Sequence, residues 1–171
     1  MKYEEIKVHK IKTAEMYVNA WYIMQEEFPD HRDTDLLSEY EWILVATIEQ
    51  NQPLIRGKKQ KLIGVITANK YIPKKALLCD IVVSPGYRSK GVGIKMLKEM
   101  GIMLRQQGYT HLMGFTPKKN TEALNTYKRV HTHQEEMIIT SSELDVSIPH
   151  IEQLEAKLEY RNKRTKRQSR R

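Results

Sequence analysis

The segment Ala76–Leu97 reads ALLCDIVVSPGYRSKGVGIKML, and its interpretation organises the rest of the chain. Ala76 to Val83 is a short apolar run ending in β-branched residues, the composition of a strand buried on both faces. Ser84-Pro85-Gly86 stops it. Arg88-Ser89-Lys90-Gly91-Val92-Gly93 follows, and from Ile94 the apolar residues return at helical spacing through Leu97, Met100 and Leu104. A strand that feeds a glycine turn and then a helix start is suited to an anion. The first helical amides have no internal partner, and the helix dipole is positive at that end. Gly91 and Gly93 lack a Cβ, so a phosphate can approach those amides closely, and Arg88 and Lys90 add positive charge beside them.

On the N-terminal side, loose alternation predicts a strand over Tyr3–Ile11. Thr13 is placed to cap a helix over Ala14–Glu27, whose Met16, Ala20, Ile23 and Met24 form an apolar stripe. Phe28-Pro29-Asp30 ends it, and Asp33–Tyr40 suits a short second helix. Strands are expected over Trp42–Ile48 and Lys61–Ala68, joined by the polar stretch Glu49–Gln60, with Asn69–Lys75 as the next connection. On the C-terminal side, Gly108 is suited to close the helix. Thr110–Thr116 reads as a strand parallel to the Ala76 strand, because a helical crossover lies between them. A helix over Asn120–Arg129, a strand over Gln134–Thr140 and a helix over Leu144–Tyr160, with Pro149 in its first turn, complete the chain.

This order of elements, the R-x-x-G-x-G run at Arg88–Gly93 and the N-x-x-A-x-x-x-Y spacing of Asn120, Ala123 and Tyr127 resemble the GNAT family of N-acetyltransferases. The resemblance covers Tyr3 to Thr140, with its specific motifs in Asp80–Gly93 and Asn120–Tyr127. It implies an α/β (α+β) acyl-CoA N-acyltransferase fold, a mixed central sheet flanked by helices. Residues 1–142 would form the acetyltransferase domain, 143–160 a C-terminal helix and 161–171 a basic, disordered tail. The chain departs from the family where Val130-His131 stands in place of Gly-Phe after Tyr127, and where the link TPKKN is about a residue longer than usual.

The resemblance also assigns roles. Acetyl-CoA is the donor, with its pyrophosphate in the cradle of Arg88, Ser89, Lys90, Gly91, Val92 and Gly93. Its pantetheine arm pairs with the strand end at Ile81, Val82 and Val83, where the N–H of Val82 or Val83 polarises the thioester carbonyl. Asn120 contacts the pantetheine or simply caps its helix. Tyr127 matches the general acid toward the CoA sulfur; the plainer alternative is a half-buried aromatic. Asp80 is the candidate base, since a lone carboxylate in an apolar strand is costly without a partner or a proton. The alternative is that neighbouring groups satisfy it and it does no chemistry.

Other features narrow the class. The length suits one domain with a real core, and the 40% hydrophobic and 29% charged content fits a soluble globular protein. No long uncharged apolar run is present, which argues against a membrane helix or secretory leader and for the cytoplasm. Cys79 has no cysteine to pair with and reads as a small buried hydrophobe. His111, His131 and His133 lack metal-ligand spacing, so no metal is expected.

The net charge of +8 resides almost wholly in residues 161–171, RNKRTKRQSRR, which hold seven basic residues and no acid; without them 22 basic residues stand against 21 acidic ones. Such a block is either a solvated tail or a tether to nucleic acid or a ribonucleoprotein. The leading reading is therefore an acetyl-CoA-dependent transferase acting on an amine. Two alternatives stand beside it: a nucleobase-modifying enzyme resembling the Mom-type DNA modification proteins, and a catalytically idle domain of the same fold serving as a nucleic-acid-associated module.

Overall fold

The computed structural model describes residues 3–29, 36–51, 58–117, 119–130, 133–134, 139–143 and 152. Among them, strands β1 (Lys7–Lys10), β2 (Trp42–Asn51), β3 (Lys58–Ile72), β4 (Lys75–Val83), β5 (His111–Phe115), β6 (His133–Gln134) and β7 (Ile139–Glu143) form one sheet in the order β1-β2-β3-β4-β5-β7-β6. The β4–β5 pair is parallel and the other neighbours are antiparallel. Helices α1 (Ala14–Glu27), α2 (Val92–Gln106) and α3 (Thr121–Arg129) accompany it. This is the mixed sheet with flanking helices that the sequence implied.

Helix α1 starts where Thr13 predicts: its Oγ1 accepts the Met16 N–H at 3.2 Å. Ala20 and Met24 pack with Leu37, Val45, Leu62 and Val65 on one face of the sheet. Met96, Leu97, Met100 and Leu104 of α2 pack with Ile63, Ile66, Ala68, Ala76, Leu78 and Leu112 on the other. Gly64 sets how closely α2 approaches. A Cβ there would meet Met96 Cε and the Val82 carbonyl oxygen, each at 3.0 Å. Past the end of α2, Gly108 adopts the left-handed conformation that glycine tolerates.

Several boundaries differ from the sequence reading, for physical reasons. The first element begins as a 3-10 turn at Tyr3–Glu5, and only Lys7–Lys10 forms strand. The β2–β3 hairpin is longer than expected: polar residues such as Glu49, Gln50 and Gln60 continue its ladder, because an edge-exposed antiparallel pair does not require apolar side chains. Asn69–Lys75 is mostly strand, with only a tight turn between Ile72 and Lys75 and Lys74 left-handed. Leu36–Glu39 is a 3-10 turn within the expected Asp33–Tyr40 helix, whose first residues lie outside the described set. The final strand is instead an antiparallel hairpin of β6 and β7. The C-terminal helix and the basic tail lie outside the described residues apart from Glu152, whose carboxylate is 3.6 Å from Lys98 Nζ of α2.

A register shift in β3–β4 controls the face on which the acid sits. Thr67 opposes Asp80 while Ala68 opposes Leu78, so Cys79 is the extra residue of a bulge. Before the bulge Ala76 and Leu78 face the α2 core; after it Ile81 and Val83 do. Unbroken alternation from Leu78 would aim Asp80 into that apolar layer. The extra residue turns it to the α1 face, where polar partners wait.

Candidate active site

Strands β4 and β5 pair from Lys75↔His111 to Leu78↔Gly114 and then part. Beyond that point β4 keeps its ladder with β3 to Gly64↔Val83, while β5 turns its other edge to β7. The opening is a cleft of about 130 Å³, lined from one side by Ile81, Val82 and Val83 and from the other by Asn120, Ala123, Thr126 and Tyr127 of α3 and its cap. It adjoins a larger cleft of about 380 Å³ around Ser89, Gly91, Val92, Gly93 and Ile94. Val83, Arg88, Gly93, Glu122 and Thr126 belong to both.

The larger cleft has the geometry of an anion site. Ser89 (φ 58°) and Gly91 (φ 85°) are left-handed, the kind of turn in which backbone amides converge on a concavity. The bond from Lys95 N–H to the Gly91 carbonyl is the first of α2. The amides of Val92, Gly93 and Ile94 therefore precede the helical ladder and face the turn. Arg129 of α3 lines the opposite wall. Arg88 is held at both ends: its Nε donates to the Val83 carbonyl at 2.9 Å, and its Nη2 lies 2.6 Å from Glu27 Oε2. Lys90 turns back on its own loop, donating to the Gly86 carbonyl at 2.6 Å.

The ladder also fixes which strand amides face the smaller cleft. Asp80 N–H donates to Thr67 Oγ1 and Ser84 N–H to the Ile63 carbonyl, both toward β3. Amides alternate along a strand, so Val82 shares their direction while Ile81 and Val83 face the opening. Of the two amides expected to polarise a carbonyl, this leaves Val83.

Tyr127 is buried at 6% exposure and lines the smaller cleft. Burial raises its pKa, a hydrogen bond with the Thr116 side chain offsets part of this, and the Asp80 carboxylate raises it further. Asn120 does cap α3, its Oδ1 accepting the Ala123 N–H at 3.1 Å, and it lines the smaller cleft as well. Asp80 lines neither cleft. Its Oδ2 accepts from the Tyr40 hydroxyl at 2.6 Å and from Thr67 Oγ1 at 3.3 Å. The Tyr40 phenol is raised far above its ordinary range, by burial first and then by its bond to Asp80.

The structure thus brings the strand end, the glycine turn and the Asn120–Tyr127 helix to one continuous site, with Asp80 on the neighbouring face. Sequence reasoning missed Glu27, Tyr40, Thr67 and Thr116, and it missed the cleft face of α3. Glu122, Asn125, Thr126 and Arg129 fall at i, i+3, i+4 and i+7, a helical stripe that the residue order does contain. The other four are joined to the site only by tertiary contact.

A sheet that splays beside a glycine-turn helix start is the architecture of an acyl-CoA-binding transferase. Residues 14–131 match the family model of the Acetyltransferase (GNAT) family, and the chain belongs to that family. Among solved structures it is similar to an acetyltransferase of the GNAT family from Staphylococcus aureus, at 16% identity and TM-score 0.63, covering 81% of this chain and 99% of that one. It is similar to the ribosomal-protein-S18-alanine N-acetyltransferase from Escherichia coli at 16% identity and TM-score 0.53, covering 81% and 94%. A chain of the NatC complex bound to Gag peptide and CoA matches at 13% identity and TM-score 0.62, covering 81% and 98%. No curated protein matches the chain.

Proposed function

We propose that the protein is an acetyl-CoA-dependent N-acetyltransferase acting on an amine. The observation that carries the reading is the parting of β4 from β5 beside the Arg88–Gly93 turn, with Tyr127 facing the strand end across the opening. The residues present fit the donor. The turn amides and Arg129 suit a pyrophosphate, the Ile81–Val83 edge offers hydrogen bonds to an amide-bearing arm, and Val83 N–H is placed to polarise a carbonyl. Acetyl-CoA supplies the activated acyl carbon.

The remaining work is proton handling. The acceptor ammonium gives one proton to Asp80, directly or through water, and the freed lone pair forms the C–N bond. The C–S bond breaks with its electron pair on sulfur, and Tyr127 protonates the thiolate. The second nitrogen proton returns to Tyr127 through solvent, leaving an amide, free CoA and one proton on Asp80 that passes to water.

The basic block at 161–171 supports an acceptor held near nucleic acid or within a ribonucleoprotein, and the ribosomal-protein substrate in the name of one structural neighbour agrees with that class. Thermal stabilisation by CoA that is lost in Gly91→Glu, followed by screening amine, peptide and nucleic-acid acceptors with labelled acetyl-CoA, tests the reading. No stabilisation of the wild type would overturn it.

A further inference from the structure

The connection that follows α1 and the β3–β4 hairpin are tied together at one residue. Asn69 of β3 accepts the Glu41 N–H on its Oδ1 at 2.7 Å and donates from Nδ2 to the Glu39 carbonyl at 3.2 Å. These bonds clasp the backbone on both sides of Tyr40. Leu37, fully buried, anchors the same turn from beneath. The clasp directs the Tyr40 hydroxyl onto Oδ2 of Asp80, the oxygen that Thr67 also reaches. Both bonds fall on Oδ2, and none from the described residues falls on Oδ1. The titratable groups facing this carboxyl are Tyr40, the adjacent Cys79 thiol and Tyr127 of α3; Glu27, at the end of α1, lines the cleft beside Val82.

We propose that Tyr40 is a positioning residue of the active site: with Thr67 it fixes Oδ2 of Asp80 and leaves Oδ1 to take the acceptor's proton. The proposal rests on the acetyltransferase reading. Two donors on Oδ2 leave the lone pairs of Oδ1 to the acceptor amine. They also stop the carboxylate rotating, which matters because proton transfer requires hydrogen-bond distance and alignment. Tyr40 remains a donor throughout the working range, since its own proton is held by burial and by Asp80.

The test uses the full chain. The wild type is compared with Tyr40→Phe, Thr67→Val and Asp80→Asn. Acetyl-CoA turnover is followed as thiol release, with butylamine as the acceptor probe and with water alone. Removing one donor is expected to lower kcat about tenfold while KM for acetyl-CoA is unchanged. CoA-induced thermal stabilisation should be unchanged. Thr67→Val guards against misfolding of Tyr40→Phe, and adding either change to Asp80→Asn should have no further effect on turnover. A kcat that stays at the wild-type value in both variants, or that falls further when either change is added to Asp80→Asn, overturns the proposal. A wild type that binds CoA yet releases no thiol counts instead against the acetyl-transfer reading.

Discussion

Glu27 and Arg88, 61 residues apart in sequence, form an ion pair 2.6 Å long at the edge of the cleft. Arg88 also donates to the Val83 carbonyl, so one guanidinium fastens the end of α1 to the end of β4 beside the glycine turn. The pair is 34% and 44% exposed, and its stabilising effect is therefore only about 0.5 kcal/mol. Its importance is geometric. Arg88→Ala is expected to leave thermal stability nearly unchanged and weaken CoA binding about tenfold by calorimetry. Arg88→Lys should not restore affinity, because an ammonium cannot span both partners as the planar fork does.

The two glycines of the turn separate on substitution. At Gly93 a Cβ meets Ile81 Cδ1 at 3.6 Å and Val83 Cγ2 at 4.0 Å, ordinary contacts. Gly93→Ala should fold with an unchanged or slightly higher Tm yet lose CoA affinity about tenfold, since the methyl intrudes where the anion approaches. At Gly91 the backbone is left-handed. Gly91→Ala should cost about 1–2 kcal/mol of stability as well as affinity, read by denaturant melts.

Tyr127→Phe is expected to keep CoA affinity and lower kcat about a hundredfold, the usual scale of a general acid. Burial raises this phenol above the ordinary tyrosine value, so it stays protonated beyond the pH at which a free tyrosine ionises. An alkaline limb of kcat due to Tyr127 should therefore lie above pH 10, the ordinary value, and disappear from the pH profile of the Phe variant.

The same sign governs stability in alkali. Tyr40 and Tyr127 have folded-state pKa values above their unfolded ones. Their contribution is complete below the unfolded value and is lost as pH rises past it, because the unfolded chain then releases protons that the fold retains. Denaturant melts should show stability falling above about pH 10, and less steeply in Tyr127→Phe.

Cys79 should be a slow nucleophile. Burial first, and then the Asp80 carboxylate, push its thiol up to about 11, leaving little thiolate at neutral pH. Iodoacetamide labelling of the folded protein at pH 7.5 is expected to be at least about tenfold slower than for the unfolded chain. Fast labelling would mean that the bulge opens readily.

Local chemistry was legible where a signal sits within a few residues. Thr13 announces the start of α1, the spacing of Asn120, Ala123 and Tyr127 places three side chains together, and Arg88–Gly93 announces an anion turn. Strand ends on the open hairpins were less legible. Glu49, Gln50 and Gln60 look like loop residues, and only their pairing partners make them strand.

The sequence by itself determined the family, the glycine turn and the helix that faces it, because glycine backbone freedom, helix starts and i, i+3, i+7 spacing act over short stretches. Only the tertiary structure decided which groups Asp80 meets. Nothing near it in sequence reveals that Cys79 is an extra residue in the ladder, which turns the carboxylate away from the apolar layer and onto Tyr40, 40 residues earlier in the chain. Register is a property of two strands together, so the bulge, and with it the partner of the candidate base, appears only once β3 and β4 are paired.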